Sequence, residues 1–215
     1  SLIPDAALTR YAAVMTECIY QAARELQEEI TVCAGKHVLA ELKRTLSSQT
    51  RTGVTLADLD HQSYLRRLSS CRLFVSSAGL HASYEAFARG VPCAFLPAQN
   101  LSQALAIPRY REAGLPTPDW DQVYGLDGLV VTAEREACRE IARCVARFER
   151  DEAARVGLVG YLRGCFSEPE LRRRSEAQAG FVPQFAERGA ARIGRHLVQL
   201  IDRRTHPMEL ALAPG

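Results

Sequence analysis

No stretch of this sequence approaches the roughly 20 consecutive apolar residues that a bilayer-spanning helix requires, and a secretory leader is not expected. An excess of either charge is missing as well. The 27 basic residues meet 25 acidic ones for a net charge of +2, and no basic run is interleaved with aromatics, so nucleic acid is not an expected partner. The seven cysteines, at 18, 33, 71, 93, 138, 144 and 165, never fall at C-x-x-C spacing, and several sit in apolar runs where a free thiol behaves as a small hydrophobe. A zinc site is therefore not expected, and the setting reads as reducing and cytoplasmic, the protein as soluble. No glycine-flanked elbow surrounds Ser76 or Ser77, which removes a hydrolase triad from consideration. An initiating methionine is absent too. Ser1-Leu2-Ile3-Pro4-Asp5 runs almost directly into a helix, which reads as a C-terminal piece of a longer polypeptide.

What is present is apolar material, 47% of 215 residues, enough for one sizeable α/β domain. The chain is organised around Cys71 to Gln103. A short apolar strand, Arg72–Ser76, leads through the small-residue turn Ser77-Ala78-Gly79 into a helix from Leu80 to about Arg89. Gly90-Val91-Pro92 breaks that helix, and a second apolar strand, Cys93–Leu96, completes a βαβ step. Both apolar runs are unbroken rather than alternating, as in parallel strands covered on both faces. The turn lets an anion approach the unpaired N–H groups of the first helical turn, the geometry of a diphosphate cradle. Glu85 follows Gly79 by about one and a half helical turns, close enough to the same crevice to accept hydrogen bonds from a ribose diol. Spacing alone suits a solvated helix position equally well.

The order Ser-Ala-Gly, Glu85, Gly90-Val91-Pro92, a strand ending Leu96-Pro97, and then Gln103 resembles the donor half of GT-B nucleotide-sugar glycosyltransferases. The nearest likenesses are the bacterial lipid II GlcNAc-transferase and the pseudaminic-acid pathway UDP-sugar hydrolase, followed by the plant and macrolide UDP-sugar transferases. The resemblance is detailed over residues 54–115 and architectural elsewhere. It implies that Ser77, Ala78 and Gly79, with the helix start Leu80, His81 and Ser83, face the diphosphate. It also implies that Glu85 takes the ribose hydroxyls, while Gln103, with Gln99 or Asn100, holds hydroxyls of the donor sugar. The sequence departs from the family at three places. Ser77 stands where plant enzymes carry a phosphate-binding His, Ala82 where most relatives carry Ser or Thr, and Ser102 where an acidic residue often precedes the Gln.

Elsewhere the pattern predicts a long amphipathic helix over Ala6–Glu28, a strand at Ile30–Cys33, a helix over Val38–Leu46, a polar loop Ser47–Gly53, a strand at Val54–Leu56 and a helix over Asp58–Leu68. After Gln103 it predicts a helix over Ala104–Ala113 kinked at Pro108, an irregular stretch Leu115–Asp127, a strand at Gly128–Val131 and a helix from Thr132 to about Glu149. A helical segment Glu152–Gly164 broken at Gly157 and Gly160, a charged helix Leu171–Ala179 and a closing helix Gly189–Asp202 follow. The donor-binding domain is thus expected over 1–204, with a tail over 205–215. Arg172-Arg173-Arg174, flanked by Glu168, Glu170 and Glu176, reads as a solvated face. Lys36 and His37 read as a loop pair, and His81, from its place in the motif, as a donor to a phosphate or sugar oxygen. His196 and His206 have no partner at metal-ligand spacing.

The expected fold is a Rossmann-like doubly wound parallel sheet of order 3-2-1-4-5, flanked by helices. Matching Ile30–Cys33, Val54–Leu56 and Arg72–Ser76 to strands 2, 3 and 4 leaves the central strand 1 upstream of Ser1. Residues before Ser1, or another chain, are expected to complete it, because two exposed edges would not be stable alone. The expected function is donor binding in an inverting, metal-independent glycosyltransferase that uses a UDP-sugar or another nucleotide-diphosphate sugar, with no other cofactor. The acceptor base would come from an N-terminal acceptor domain, in the same chain or another, and the acceptor would be a small molecule or lipid-linked. Two alternatives remain: a nucleotide-sugar hydrolase or 2-epimerase of the same fold, and a donor subunit without activity of its own.

Overall fold

The computed structural model describes residues 5–118 and 134–185. The fold is mixed α/β. In chain order it runs α1 (Asp5–Arg24), β1 (Ile30–Cys33), α2 (Lys36–Thr45), α3 (Ser48–Gly53), β2 (Val54–Ala57), α4 (His61–Ser70), β3 (Phe74–Ser77), α5 (Leu80–Phe87), β4 (Cys93–Leu96) and α6 (Leu101–Glu112). Then come α7 (Glu134–Phe148), α8 (Glu152–Cys165) and α9 (Glu168–Phe185). The expected strand at Gly128–Val131, the closing helix and the tail lie outside the described residues.

The strands form two separate parallel pairs rather than one continuous sheet: β1 with β2, Ile30 opposite Val54, and β3 with β4, Phe74 opposite Cys93. Among the described residues, the β1 edge away from β2 and the β3 edge away from β4 have no strand partner. In a parallel ladder alternate residues bond to opposite sides. The Phe74 N–H donates to the Pro92 carbonyl at 2.8 Å, so Phe74 and Ser76 address β4 while Val75 points its N–H and C=O away. The Ala34 N–H donates to the Ala57 carbonyl at 3.3 Å, so Ile30 and Val32 address β2 while Thr31 and Cys33 point away. The expected continuous doubly wound sheet is not seen among the described residues, whose strands form these two parallel pairs.

Helix α1 lies across both pairs. Its Ala12 and Ala13 pack with Val32, Leu39, Leu42 and Leu56, and its Tyr11, Met15, Cys18 and Ala22 pack in a cluster with Val75, Ala94 and Leu96. An Arg72–Glu28 ion pair ties the starts of β3 and β1. On the opposite face of the β3–β4 pair, Phe87, Phe95, Tyr110 and Phe181 form an aromatic cluster with ring centroids 5.2–6.3 Å apart.

The outer edge of β4 is closed by side chains. Tyr161 of α8 accepts from the Phe95 N–H at 3.3 Å, and Arg174 of α9 donates to the Cys93 carbonyl at 2.8 Å. Gln178, with its carboxamide turned so that both ends are satisfied, accepts from the Cys93 N–H and donates to the Val91 carbonyl, each at 2.9 Å. Three side chains thus do what a fifth strand would do at an exposed edge.

Several expected boundaries shift. Ser47–Gly53 is a helical turn rather than a loop, because Ser47 caps it by accepting from the Thr50 N–H at 3.2 Å and Glu17 of α1 takes the Ser47 N–H and the Thr50 hydroxyl. Gly53 ends that turn against Tyr20, whose ring would lie 2.2 Å from a Cβ there. Gly157 and Gly160 do not interrupt α8, and α6 runs through Pro108. The charged helix is longer than expected, Glu168–Phe185, and Arg174 is buried within it, not solvated. Arg172 and Arg173 are exposed, so the solvated-face reading holds for two of the three.

The open edges carry a prediction. Amide exchange in the 215-residue chain should be at least about tenfold faster at Thr31 and Val75 than at Val32 and Ser76, which bond to a neighbouring strand. Equal protection within each pair would mean that the inner edges already have a partner.

Candidate functional site

The carboxyl ends of β3 and β4 bring most of the sequence-predicted residues together. Ser77 closes β3 with 6% of its surface exposed, Ala78 is buried, and Gly79 is the N-cap of α5 at φ −77°, ψ 136°. No side chain caps α5 and no acidic residue sits in its first turn. By contrast α3, α4, α6 and α8 are capped by Ser47, Asp60, Asn100 and Asp151. The first-turn N–H groups of α5 therefore keep their partial positive charge without a protein acceptor from a cap. Neither backbone nor packing requires glycine at position 79: φ is negative, and a Cβ would meet only the Ser77 carbonyl, at 3.8 Å. Helix α2 also starts at a glycine, Gly35, without a side-chain cap; its Lys36 and His37 are exposed, and Lys36 lies 3.9 Å from Asp58.

Within α5 the predicted residues part company. Leu80 is 57% exposed and His81 is exposed, both beside the loop. Ser83 is 0% exposed, on the same inner face of α5 as Ala86 and Phe87, so its hydroxyl is turned from any approaching diphosphate. Its i+3 and i+4 neighbours, both core residues, give the reason. Glu85 is half-buried and faces the first turn of α4, its carboxylate 3.7 Å from His61 Nε2. It sits between two helices at the strand ends, not on an isolated solvated face. Burial, and secondarily the Glu85 charge, push the nearby Tyr64 phenol up to about 12.

The β4–α6 loop supplies the other half. Pro97 and Ala98 are buried, and Gln99 is half-buried with its Nε2 donating to Ser77 Oγ at 3.2 Å. The Gln99 N–H donates to Gln103 Oε1 at 2.8 Å. Asn100 caps α6: its Oδ1 accepts from the Gln103 N–H at 3.0 Å and from the Ser102 hydroxyl at 2.8 Å, which commits that oxygen to the helix rather than to a ligand. Gln103 keeps its Nε2 end for a hydroxyl acceptor, as no other side-chain group claims it among the described residues. One contributor was invisible in the sequence beyond its apolar spacing. Tyr11 of α1 reaches this loop and donates its hydroxyl to the Pro97 carbonyl across 86 residues of chain.

Among the described residues no group of three or more His, Cys, Asp or Glu side chains could hold a metal ion, and no helix is long and apolar enough to cross a membrane. The six described cysteines are unpaired. No family model, no curated protein and no solved structure matches the chain.

Proposed function

We propose that this protein binds a nucleotide-diphosphate sugar, most simply a UDP-sugar, as the donor half of an inverting, metal-independent glycosyltransferase. The observation that carries the reading is the Gln99–Ser77 hydrogen bond, which sets the sugar-loop residues beside the uncapped N-terminus of α5. The diphosphate would accept from the first-turn N–H groups past Gly79, Glu85 would take the ribose diol, and Gln103 a sugar hydroxyl. When the bond between the anomeric carbon and the diphosphate oxygen breaks, its electron pair leaves with the diphosphate. The helix dipole at Gly79 is aimed at that developing charge. The incoming acceptor oxygen forms the new bond and gives its proton to a base from an acceptor domain. A retaining mechanism is disfavoured because Ser77, eight residues before Glu85, stands where retaining relatives carry a second Glu. A central strand between β1 and β3 would give the doubly wound order 3-2-1-4-5.

Isothermal calorimetry of UDP against the full-length protein tests this reading. Binding should survive EDTA unchanged, since the cradle is made of backbone N–H groups and needs no cation. An isotherm abolished by EDTA and restored by magnesium, or none at all, would sink it.

A further inference from the structure

We infer that Tyr11 is a positioning residue of the sugar subsite: its hydroxyl locks the Pro97–Gln103 loop against Ser77 and so fixes where Gln99 and Gln103 stand. This rests on the donor-binding reading above.

Tyr11 is 3% exposed and packs among Met15, Cys18, Ala94 and Leu96, a surrounding that phenylalanine would fill equally well. A buried hydroxyl costs free energy unless it is bonded, so a phenol at this position calls for partners. Its partners belong to the two loops of the candidate site. The hydroxyl donates to the Pro97 carbonyl, and the Gln99 and Ser77 side chains are close enough to favour its ionised form, although burial, the larger effect, drives the phenol well above its ordinary range. Tyr64 provides the contrast, since its hydroxyl has no hydrogen-bond partner among the described residues.

The need for such a lock follows from the topology. Strands β3 and β4 are held in register by their ladder as far as Ser77 and Leu96, and beyond those residues the backbone ladder stops. From there, among the described residues, side chains hold the loops: Gln99 joins one to Ser77 of the other, and Tyr11 ties Pro97 to the helix layer that covers the sheet. The lock extends to Gln103, whose Oε1 is held by the Gln99 N–H two residues after Pro97. The α5 N-terminus is fixed separately, by the Ser83 N–H to Gly79 carbonyl bond of its own helix. Loss of the Tyr11 hydroxyl should therefore loosen the sugar contacts and leave the diphosphate contacts in place.

The test compares Tyr11→Phe with wild type in the full-length protein, using UDP, UDP-GlcNAc and UDP-glucose as calorimetric probes. UDP affinity should change by less than about twofold, whereas whichever UDP-sugar wild type prefers over UDP should lose about fivefold or more, one hydrogen bond's worth of positioning. A second variant fixes the interpretation. Gln103→Ala should cost that UDP-sugar several-fold in wild type and about half as much or less in the Tyr11→Phe background, because the two act through one contact. Equal losses for UDP and UDP-sugar, no loss for either, additive losses in the double variant, or a Tyr11→Phe protein that fails to fold would each make Tyr11 an ordinary core residue and overturn the inference alone. Wild type that binds none of the three probes would instead overturn the donor-binding reading, and the inference with it.

Discussion

Arg174→Met should lower the stability of the fold by about 3 kcal/mol, the low end of the range for removing one partner of a buried charged pair. Arg174 is 2% exposed, and its guanidinium makes four contacts. Nη1 donates to the Cys93 carbonyl at 2.8 Å and the Pro116 carbonyl at 3.0 Å, Nη2 lies 2.8 Å from Glu170 Oε1, and the group sits 5.5 Å over the Tyr161 ring. Methionine fills much of the aliphatic stem but strands two carbonyls. The low end applies because Glu170 is only half-buried and keeps Arg173, with contacts of 2.7 Å at both oxygens, so its charge stays compensated. Those hydrogen bonds, with the guanidinium charges behind them, hold the Glu170 carboxyl below its usual range. Arg174→Lys keeps the charge but reaches one acceptor at a time, so it should fall between wild type and the methionine variant. Urea midpoints of the three proteins decide it. A methionine variant within about 0.5 kcal/mol of wild type, the scatter of ordinary surface substitutions, would mean that the guanidinium is solvated and the strand edge is open.

Glu85→Ala should weaken UDP binding about tenfold or more, the loss expected when charge-assisted hydrogen bonds worth roughly 1.5–3 kcal/mol disappear. Folding should barely change, because the carboxylate is half-buried and its one ionic neighbour among the described residues, His61, lies 3.7 Å away on the surface. The analogue 2′,3′-dideoxy-UDP isolates the ribose contribution. It lacks the diol, so it should bind wild type about as weakly as UDP binds Glu85→Ala, and the mutation should cost it little more. Equal losses for UDP and the dideoxy analogue would show that Glu85 supports the α4–α5 contact and reads no ribose. His61→Ala separates the same alternatives from the other side. Were Glu85 only a partner for His61, the two alanine variants would weaken UDP alike.

The parts of the fold that could be read from the sequence are those fixed by neighbours along the chain. Short unbroken apolar runs located the four described strands to within two residues at each end, because a strand covered on both faces shows little else. The turn Ser77-Ala78-Gly79 and the helix behind it follow from small residues at a strand end. What was not legible depends on partners far along the chain. Ser47–Gly53 looks polar, yet it is helical because Glu17, 30 residues upstream, meets its first turn. Arg174 sits in a run of three like charges whose first two members are exposed, and only the helical rotation of about 100° per residue carries the third into the core. Ser83 shares a motif with His81 but not a face. Tyr11 reads as one apolar position of a long amphipathic helix, since nothing in the spacing separates a phenol that bonds from a ring that merely packs. For the site, then, the sequence located the two loops but not what ties them together.

The finish that Tyr161, Arg174 and Gln178 give to β4 also sets how far this sheet can grow. With the Cys93 N–H and C=O and the Phe95 N–H already bonded to side chains, the outer edge of β4 is a poor template for a neighbouring strand, so among the described residues the β3–β4 pair offers its backbone to a further strand chiefly at Val75. A strand added on the β4 side would first have to displace the side chains that two helices, α8 and α9, lay along that rim, so growth of this pair is directed to its β3 side.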